Sequence, residues 1–275
     1  MTGSGNDFVV FDGRHTSPAE WTAARIQAIC DRRHGVGADG FVILTPEDAP
    51  GAVRMHFFNA DGSEAPMCGN ASLCSTRLSW RLGLAPAEMT LVTGAGHLPS
   101  RSLEGPGERA EIHLADFSAP RQVPDVALAP GEESIWFGKS GGPPHAVVLV
   151  ADLQGVDVAA RGRELRYHPA FAPGGANINF VSAPTPASGG RWPMRTYERG
   201  VEGETLACGT GAVGCAAVLA GLGRLTPPVE LLSQGGYPLS VRFTRAGAII
   251  SDVWLAGEGR LVFRGVLGEA DHGVD

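Results

Sequence analysis

Along most of this chain apolar residues fall in short runs between clusters of glycine, proline, serine, asparagine and aspartate, a rhythm that predicts strands joined by tight turns. The runs at 8–11, 41–44, 53–58, 135–137, 146–150, 177–181 and 194–197 read as single strands, 89–114 as a β-meander, and 229–267 as four further runs of sheet. Elsewhere the spacing changes to the helical period. Ser17-Pro18-Ala19-Glu20 has the form of a capping box with proline at the first helical position, and predicts a helix to about Arg33 with Trp21, Ala24, Ala28 and Ile29 as its apolar stripe and Gly35 as its stop. A second helix is expected over 69–82 with Gly83 after it, and a third over 156–168. A fourth, over 209–221, is apolar on every side, which predicts that it lies inside the fold.

One pattern in this rhythm occurs twice. Glu64-Ala65-Pro66-Met67-Cys68-Gly69-Asn70 and Glu204-Thr205-Leu206-Ala207-Cys208-Gly209-Thr210 both read Glu-x-x-x-Cys-Gly-Asn/Thr, 140 positions apart, and each precedes a predicted helix. The match extends outward, since Asn59 ends a strand nine residues before Cys68 and Glu198 ends one ten residues before Cys208. Asn6-Asp7-Phe8-Val9 is likewise echoed by Ile178-Asn179-Phe180-Val181. A period this long implies a duplicated domain rather than a solenoid. The fold class expected is α/β of the α+β type, with two pseudo-symmetric domains, each a mainly antiparallel sheet around a central helix. Residues 1–115 with 259–275 would form one domain and 116–258 the other.

At a helix start the backbone N–H groups are free, so a thiol there loses its proton readily and a carboxylate is held. Either Cys-Gly alone is accounted for by a tight turn before a packed helix. Two in matching context suit inversion at a carbon bearing an acidic hydrogen: one cysteine, as thiolate, removes the proton from one face, and the other, as thiol, returns one to the opposite face. The substrate carboxylate would sit on the amides of Gly69, Asn70, Gly209 and Thr210.

Composition removes competing functions. With a net charge of −7 and no basic run, nothing draws a phosphate backbone, so nucleic acid is not an expected partner. The uncharged stretch 205–223 approaches membrane-spanning length but carries five glycines among its alanines, and no membrane partner is expected. No charged and then apolar leader opens the chain, and five unframed cysteines make no disulfide scaffold, so the expected compartment is the cytoplasm. Cys208 and Cys215 would stand about 10 Å apart along one helix, too far for one bridge or one metal ion, and no metal site is expected. Gly35-Val36-Gly37-Ala38-Asp39-Gly40 matches a dinucleotide loop in letters, but a helix precedes it and a strand follows, the reverse of what that loop requires. Gly138-Lys139-Ser140 fails as a phosphate loop because Glu133 stands where its first glycine is needed. Lys139, the single lysine, is a poor anchor for pyridoxal in its glycine-rich loop, and no cofactor is expected.

Taken together, Gly5-Asn6-Asp7-Phe8-Val9, Gly35-Val36-Gly37-Ala38-Asp39-Gly40, Phe58-Asn59-Ala60-Asp61-Gly62-Ser63-Glu64, Met67-Cys68-Gly69-Asn70, Pro144-His145, Glu198-Arg199-Gly200 and Ala207-Cys208-Gly209-Thr210-Gly211 resemble the diaminopimelate epimerase family. The resemblance implies a cofactor-independent epimerase, often a homodimer, that interconverts LL- and meso-diaminopimelate for lysine and peptidoglycan synthesis. It implies Cys68 and Cys208 as the acid/base pair with His145 and Glu198 beside them. It further implies Asn6, Asn59, Asn177, Glu198 and Arg199 as substrate ligands, and Gly69, Asn70, Gly209 and Thr210 as the cradle of the reacting carboxylate. Two positions depart from the pattern. Leu73 stands where the family has arginine, and Pro143 where it has an asparagine at the distal end of the substrate. These leave open a racemase for another amino acid, histidine-like or ornithine-like. A non-catalytic amino-acid-binding relative and a thiol redox protein are the readings from other classes.

Overall fold

The computed structural model describes residues 1–105, 107–140 and 142–268. In its first half, β1 (Thr2–Gly3), β2 (Asn6–Asp12), β3 (Gly40–Pro46), β4 (Ala52–Asn59), β5 (Glu88–Thr93), β6 (Gly96–Ser102) and β7 (Arg109–Leu114) are hydrogen-bonded in that order. Successive pairs run antiparallel, parallel, antiparallel, parallel, antiparallel and antiparallel. The short strands β8 (Phe117–Ser118) and β9 (Arg121–Gln122) follow. Then come β10 (Glu132–Lys139), β11 (Pro144–Val150), β12 (Asn177–Val181), β13 (Trp192–Glu198), β14 (Gly203–Thr205), β15 (Val229–Leu232), β16 (Pro238–Ala246) and β17 (Ile249–Glu258). With β14 set aside as an addition to β13, this second series repeats the same six directions in the same order.

Helices occupy equivalent places in the two series. In the first, α1 (Ala23–Cys30) connects β2 to β3 and α2 (Gly69–Arg81) connects β4 to β5. In the second, α3 (Val158–Arg166) connects β11 to β12 and α4 (Gly209–Gly221) leads from β14 to β15. The fold is therefore α/β, with two pseudo-symmetric halves of mainly antiparallel sheet. Topology also corrects one sequence echo: the counterpart of β2 is β11, so Asn6-Asp7-Phe8-Val9 does not correspond to Ile178-Asn179-Phe180-Val181, which lies on β12, the counterpart of β3.

The two series join through their last strands, β7 and β17, which pair antiparallel with Val253 opposite Leu114. The expected boundary at 115/116 falls between β7 and β8, both of which pair with β17. After β17 the chain returns to the first half, where Arg260 bridges to Thr2. Of the four apolar runs expected in 229–267, the last lies beyond β17 and forms no strand. Residues 269–275, assigned from sequence to the first domain, lie outside the described residues, as do Pro106 in the meander and Gly141 in the loop before His145.

The first helix departs from its sequence pattern. Ser17 does accept from the Ala19 N–H, but it opens only a single 3-10 turn, and α1 begins at Ala23 with Thr22 as its cap. Trp21 separates the two, because its ring packs 4.6 Å from both Phe11 and Phe41 and its indole N–H donates to Thr16 Oγ1, which holds its backbone extended. The buried face of α1 is consequently Ile26, Ile29 and Cys30, while Ala24 and Ala28 are exposed. The helix ends at Cys30 rather than at Arg33, since the Asp31 carboxylate takes the N–H groups of Arg33 and His34.

The two later cysteine helices follow their sequence pattern. Both open at the residue after the cysteine, and α2 closes before Gly83, which takes a left-handed φ of 67°. One apolar core holds both, with Ala71, Leu73, Cys74 and Leu78 of α2 and Ala212, Val213 and 215–219 of α4. Separate apolar layers place α1 and α3 on the outer faces. Among the described residues no helix is long and apolar enough to cross a membrane. Helix α2 buries Ser72 and Thr76, whose hydroxyls donate to the carbonyls of Cys68 and Ser72 one turn back, so its own backbone supplies their partners. Leu73 is fully buried, with its Cδ1 against Gly257 and its backbone carbonyl against Gly259, so the position lies in the apolar core.

Candidate active site

Cys68 and Cys208 are the residues immediately before α2 and α4, in the same extended conformation, φ −136° and −133°. The first N–H groups of each helix have no partner inside the helix, so the amides of Gly69 and Asn70 and of Gly209 and Thr210 form two positive helix ends. These ends meet at one side chain. A Cβ built on Gly69 would lie 3.9 Å from Leu255 Cδ2, and one built on Gly209 only 2.5 Å from it. The matching conformations come from the repeated Cys-Gly; the meeting comes from β17, which carries Leu255 between them.

Glu198, at the end of β13, acts on both thiols. Burial is the main reason both are pushed up, Cys68 to about 11, and the Glu198 carboxylate adds to this at each. The N–H groups of Ala71 and Asn70 work the other way at Cys68, and that of Gly211 and the Thr210 hydroxyl at Cys208. Glu198 itself is raised by its own burial. His145 is 2% exposed, and burial, reinforced by the Arg199 guanidinium, lowers it to about 3. Its ring is therefore neutral at physiological pH.

The polar residues around the two helix starts form two directed chains. At α2, Asn70 Nδ2 donates to Asn6 Oδ1 at 2.6 Å and Asn6 Nδ2 donates to Asp39 Oδ2 at 3.0 Å. Asp39 is bound in turn by Arg32, which also holds Asp7. At α4, Asn179 Nδ2 lies 3.2 Å from His145 Nδ1, His145 Nε2 lies 3.0 Å from Thr210 Oγ1, and Thr210 Oγ1 lies 3.9 Å from Cys208 Sγ. Ser140 Oγ donates to the Thr210 carbonyl at 2.8 Å and ties the loop before β11 to the same helix start.

Of the residues singled out in the sequence, Cys68, Cys208, Gly69, Asn70, Gly209, Thr210, His145 and Glu198 gather at the two helix ends. Asn6 does so with both side-chain atoms already engaged. Asn177 accepts the Arg199 N–H through Oδ1 at 2.7 Å, which shapes the turn after β13. Asn59 and Arg199 are exposed; Asn59 donates to Ser63, and an Arg199 nitrogen lies 3.4 Å from where a Gly174 Cβ would be. The repeated glutamates stand outside the site. Glu64 is exposed and Glu204 pairs with Arg195, while their backbones bridge the matched strand residues Phe58 and Tyr197. Sequence reasoning missed Asp39, which lay inside a glycine pattern read only as a turn, and Asn179, noted only as part of an echo. Nothing in the sequence marks Leu255.

Two matched halves of mainly antiparallel sheet, each holding a buried helix, define a class of fold. It is shared with the crystal structure of the Bacillus anthracis phenazine biosynthesis protein of the PhzF family, at a TM-score of 0.69 and 18% identity, over 94% of this chain and 92% of that one. Within that class the chain belongs to the diaminopimelate epimerase family, whose model matches residues 1–105 and 137–248. It is 42% identical to the diaminopimelate epimerase of Gemmatimonas aurantiaca over 96% of each chain, and 38% identical to that of Aquifex aeolicus over 98% of this chain and 96% of that one.

Proposed function

We propose that this protein is a diaminopimelate epimerase that inverts one α-carbon of its substrate with Cys68 and Cys208 as the two acid/base groups and no cofactor. The observation that carries the reading is the meeting of the two Cys-Gly helix starts on Leu255, under the influence of the one Glu198 carboxylate. A substrate carboxylate seated between the ends accepts from the amides of Gly69, Asn70, Gly209 and Thr210, and its α-carbon lies between the thiols. One cysteine, as thiolate, takes the α-hydrogen as a proton, and the electron pair of the broken C–H bond delocalises onto the carboxylate held by those amides. The opposite thiol then gives its proton to the other face. The cysteines end in exchanged protonation states, so the reverse reaction uses the same groups with roles swapped.

In the free site both thiols are raised by burial. The substrate ammonium, a cation brought beside them, favours the thiolate and ties its formation to binding. Glu198, Asn6, Asn59, Asn177 and Arg199 hold the amino group and the distal end in this reading. Pro143, which offers no side-chain donor or acceptor, favours one second reading, a racemase for an amino acid with a different distal group.

Exchange of the α-hydrogen in D₂O, followed by proton NMR with LL-diaminopimelate, ornithine and histidine, separates the two. Exchange with diaminopimelate in the unsubstituted protein, with inversion to the meso isomer abolished in both Cys68→Ala and Cys208→Ala, is the expected outcome. Exchange confined to ornithine or histidine replaces the substrate, and exchange with none of the three removes the enzyme reading.

A further inference from the structure

The two thiols differ in what stands behind them, and hydrogen-bond direction makes the difference specific. At α4 the chain begins with Asn179, fully buried on β12. Its amide orientation is fixed at both ends. The Ala146 carbonyl, which can only accept, lies 3.0 Å from Nδ2, and the Thr196 hydroxyl lies 2.9 Å from Oδ1. Nδ2 therefore also faces His145 Nδ1 as a donor, and that ring nitrogen must be the acceptor. The ring proton is left on Nε2, where it is donated to Thr210 Oγ1. With its oxygen taken as acceptor from that side, the Thr210 hydroxyl has its own hydrogen free for Cys208 Sγ. At α2 direction runs the other way. Asn70 gives its N–H to Asn6 and Asn6 gives its own to Asp39, so among the described residues no side-chain donor is delivered to Cys68, and Asn70 Oδ1 is buried without a partner among them.

We infer that Asn179 is a positioning residue that holds His145 as its Nε2–H tautomer, so that the Thr210 hydroxyl donates to Cys208 and stabilises the thiolate of that cysteine alone. His145 then serves the reaction as a fixed neutral donor behind Thr210 and not as a proton carrier. The two-base reading becomes asymmetric in its supports. The Cys208 thiolate is met by a neutral buried chain, while Cys68 relies on the amides of its own helix start. The other titratable groups that act on Cys208 are Glu198 on β13 and Cys215 on α4, and no substitution below changes either.

The inference rests on the assignment of Cys208 as an acid/base group, and its test reads the ring and the thiols directly, independent of turnover. In uniformly ¹⁵N-labelled protein at pH 7, His145 is expected to carry its proton on Nε2 with Nδ1 bare. Alkylation by iodoacetamide, followed at each cysteine by peptide mass, reports thiolate fraction. Thr210→Val is expected to slow alkylation of Cys208 about tenfold or more, the range for loss of a hydrogen bond to a charged group. Thr210→Ser is expected to stay within about threefold of the unsubstituted protein, and Cys68 to change less than about threefold in both. Asn179→Asp presents an acceptor to Nδ1, draws the ring proton there, turns the Thr210 hydroxyl toward Nε2, and is expected to slow Cys208 in the same way. Should Asn179→Asp fail to fold, the Thr210 pair and the ring assignment carry the test. A proton on Nδ1, an unchanged Cys208 rate in Thr210→Val, or an equal fall at Cys68 overturns the inference. Failure of α-hydrogen exchange in the unsubstituted protein would instead overturn the assignment of function.

Discussion

His145 shows at the scale of one residue what burial costs and what it provides. A neutral imidazole enclosed on β11 takes up a proton only near pH 3, whereas the same residue in the unfolded chain does so near its ordinary value. Its folded value is depressed, so the unfolded chain binds more protons in the interval between. The stability it contributes is fully present above the unfolded value and is lost as pH falls, at about 1.4 kcal/mol per pH unit. Urea unfolding of the protein and of His145→Gln should therefore diverge on acidification. Between pH 6.5 and 5 the unsubstituted protein should lose about 1.6 kcal/mol more than the variant, and equal losses would mean that His145 titrates normally in the fold. The thiols carry the opposite sign. With Cys68 raised to about 11, its thiolate fraction grows roughly tenfold per pH unit through neutrality. On that basis kcat/KM should still be rising at pH 8.5, and a plateau already reached by pH 7 would place a free thiolate in the resting site.

At the scale of an element, α4 tests helix propensity against close approach. Glycine in a helix interior costs about 1 kcal/mol relative to alanine, so Gly211→Ala considered alone should stabilise the protein. A Cβ at Gly211, however, would lie 2.2 Å from Asn179 Oδ1 and 3.2 Å from Cys208 Sγ. Asn179 is held at both ends and cannot swing away cheaply. Overlap is expected to win, with a net loss of about 1–3 kcal/mol in thermal or chemical unfolding and a greater than tenfold fall in kcat. A stabilised variant with full activity would show that the helix start has slack. The corresponding test on α2 is Leu73. As a core residue against Gly257 and Gly259 it should cost about 2–5 kcal/mol when cut to alanine, with KM unchanged in the folded fraction. A raised KM without loss of stability would make Leu73 part of the substrate pocket. Helix α1 teaches the converse lesson. Ser17 caps a turn as its sequence predicts, but the Glu20 carboxylate accepts from the Thr16 hydroxyl and closes no capping box, and Trp21 packing on Phe11 and Phe41 ends that turn before a new helix begins at Ala23. Local propensities of a few tenths to 1 kcal/mol yield to burial of a large aromatic ring.

For the whole molecule, the duplication is carried by strand direction as much as by sequence. Six successive pairings repeat, and the counterparts Asn59 and Glu198 close β4 and β13 with different side chains, so one architectural position has acquired two chemistries. The sequence by itself determined the two helices with cysteine before them, the buried character of α4 and most strands. It also determined the family, because these features depend on local order, periodicity and motif spacing. It misread the counterpart of β2, since residue likeness over four positions carries no information about strand direction. Only the tertiary structure decided that the two helix starts meet on Leu255, that Glu198 influences both thiols, and that Asn179 stands behind His145. These are contacts between segments far apart in the chain. Their partners are chosen by how the two halves join at β7 and β17, where Leu255, paired with Ile112 on one side and Val241 on the other, reaches both Gly69 and Gly209.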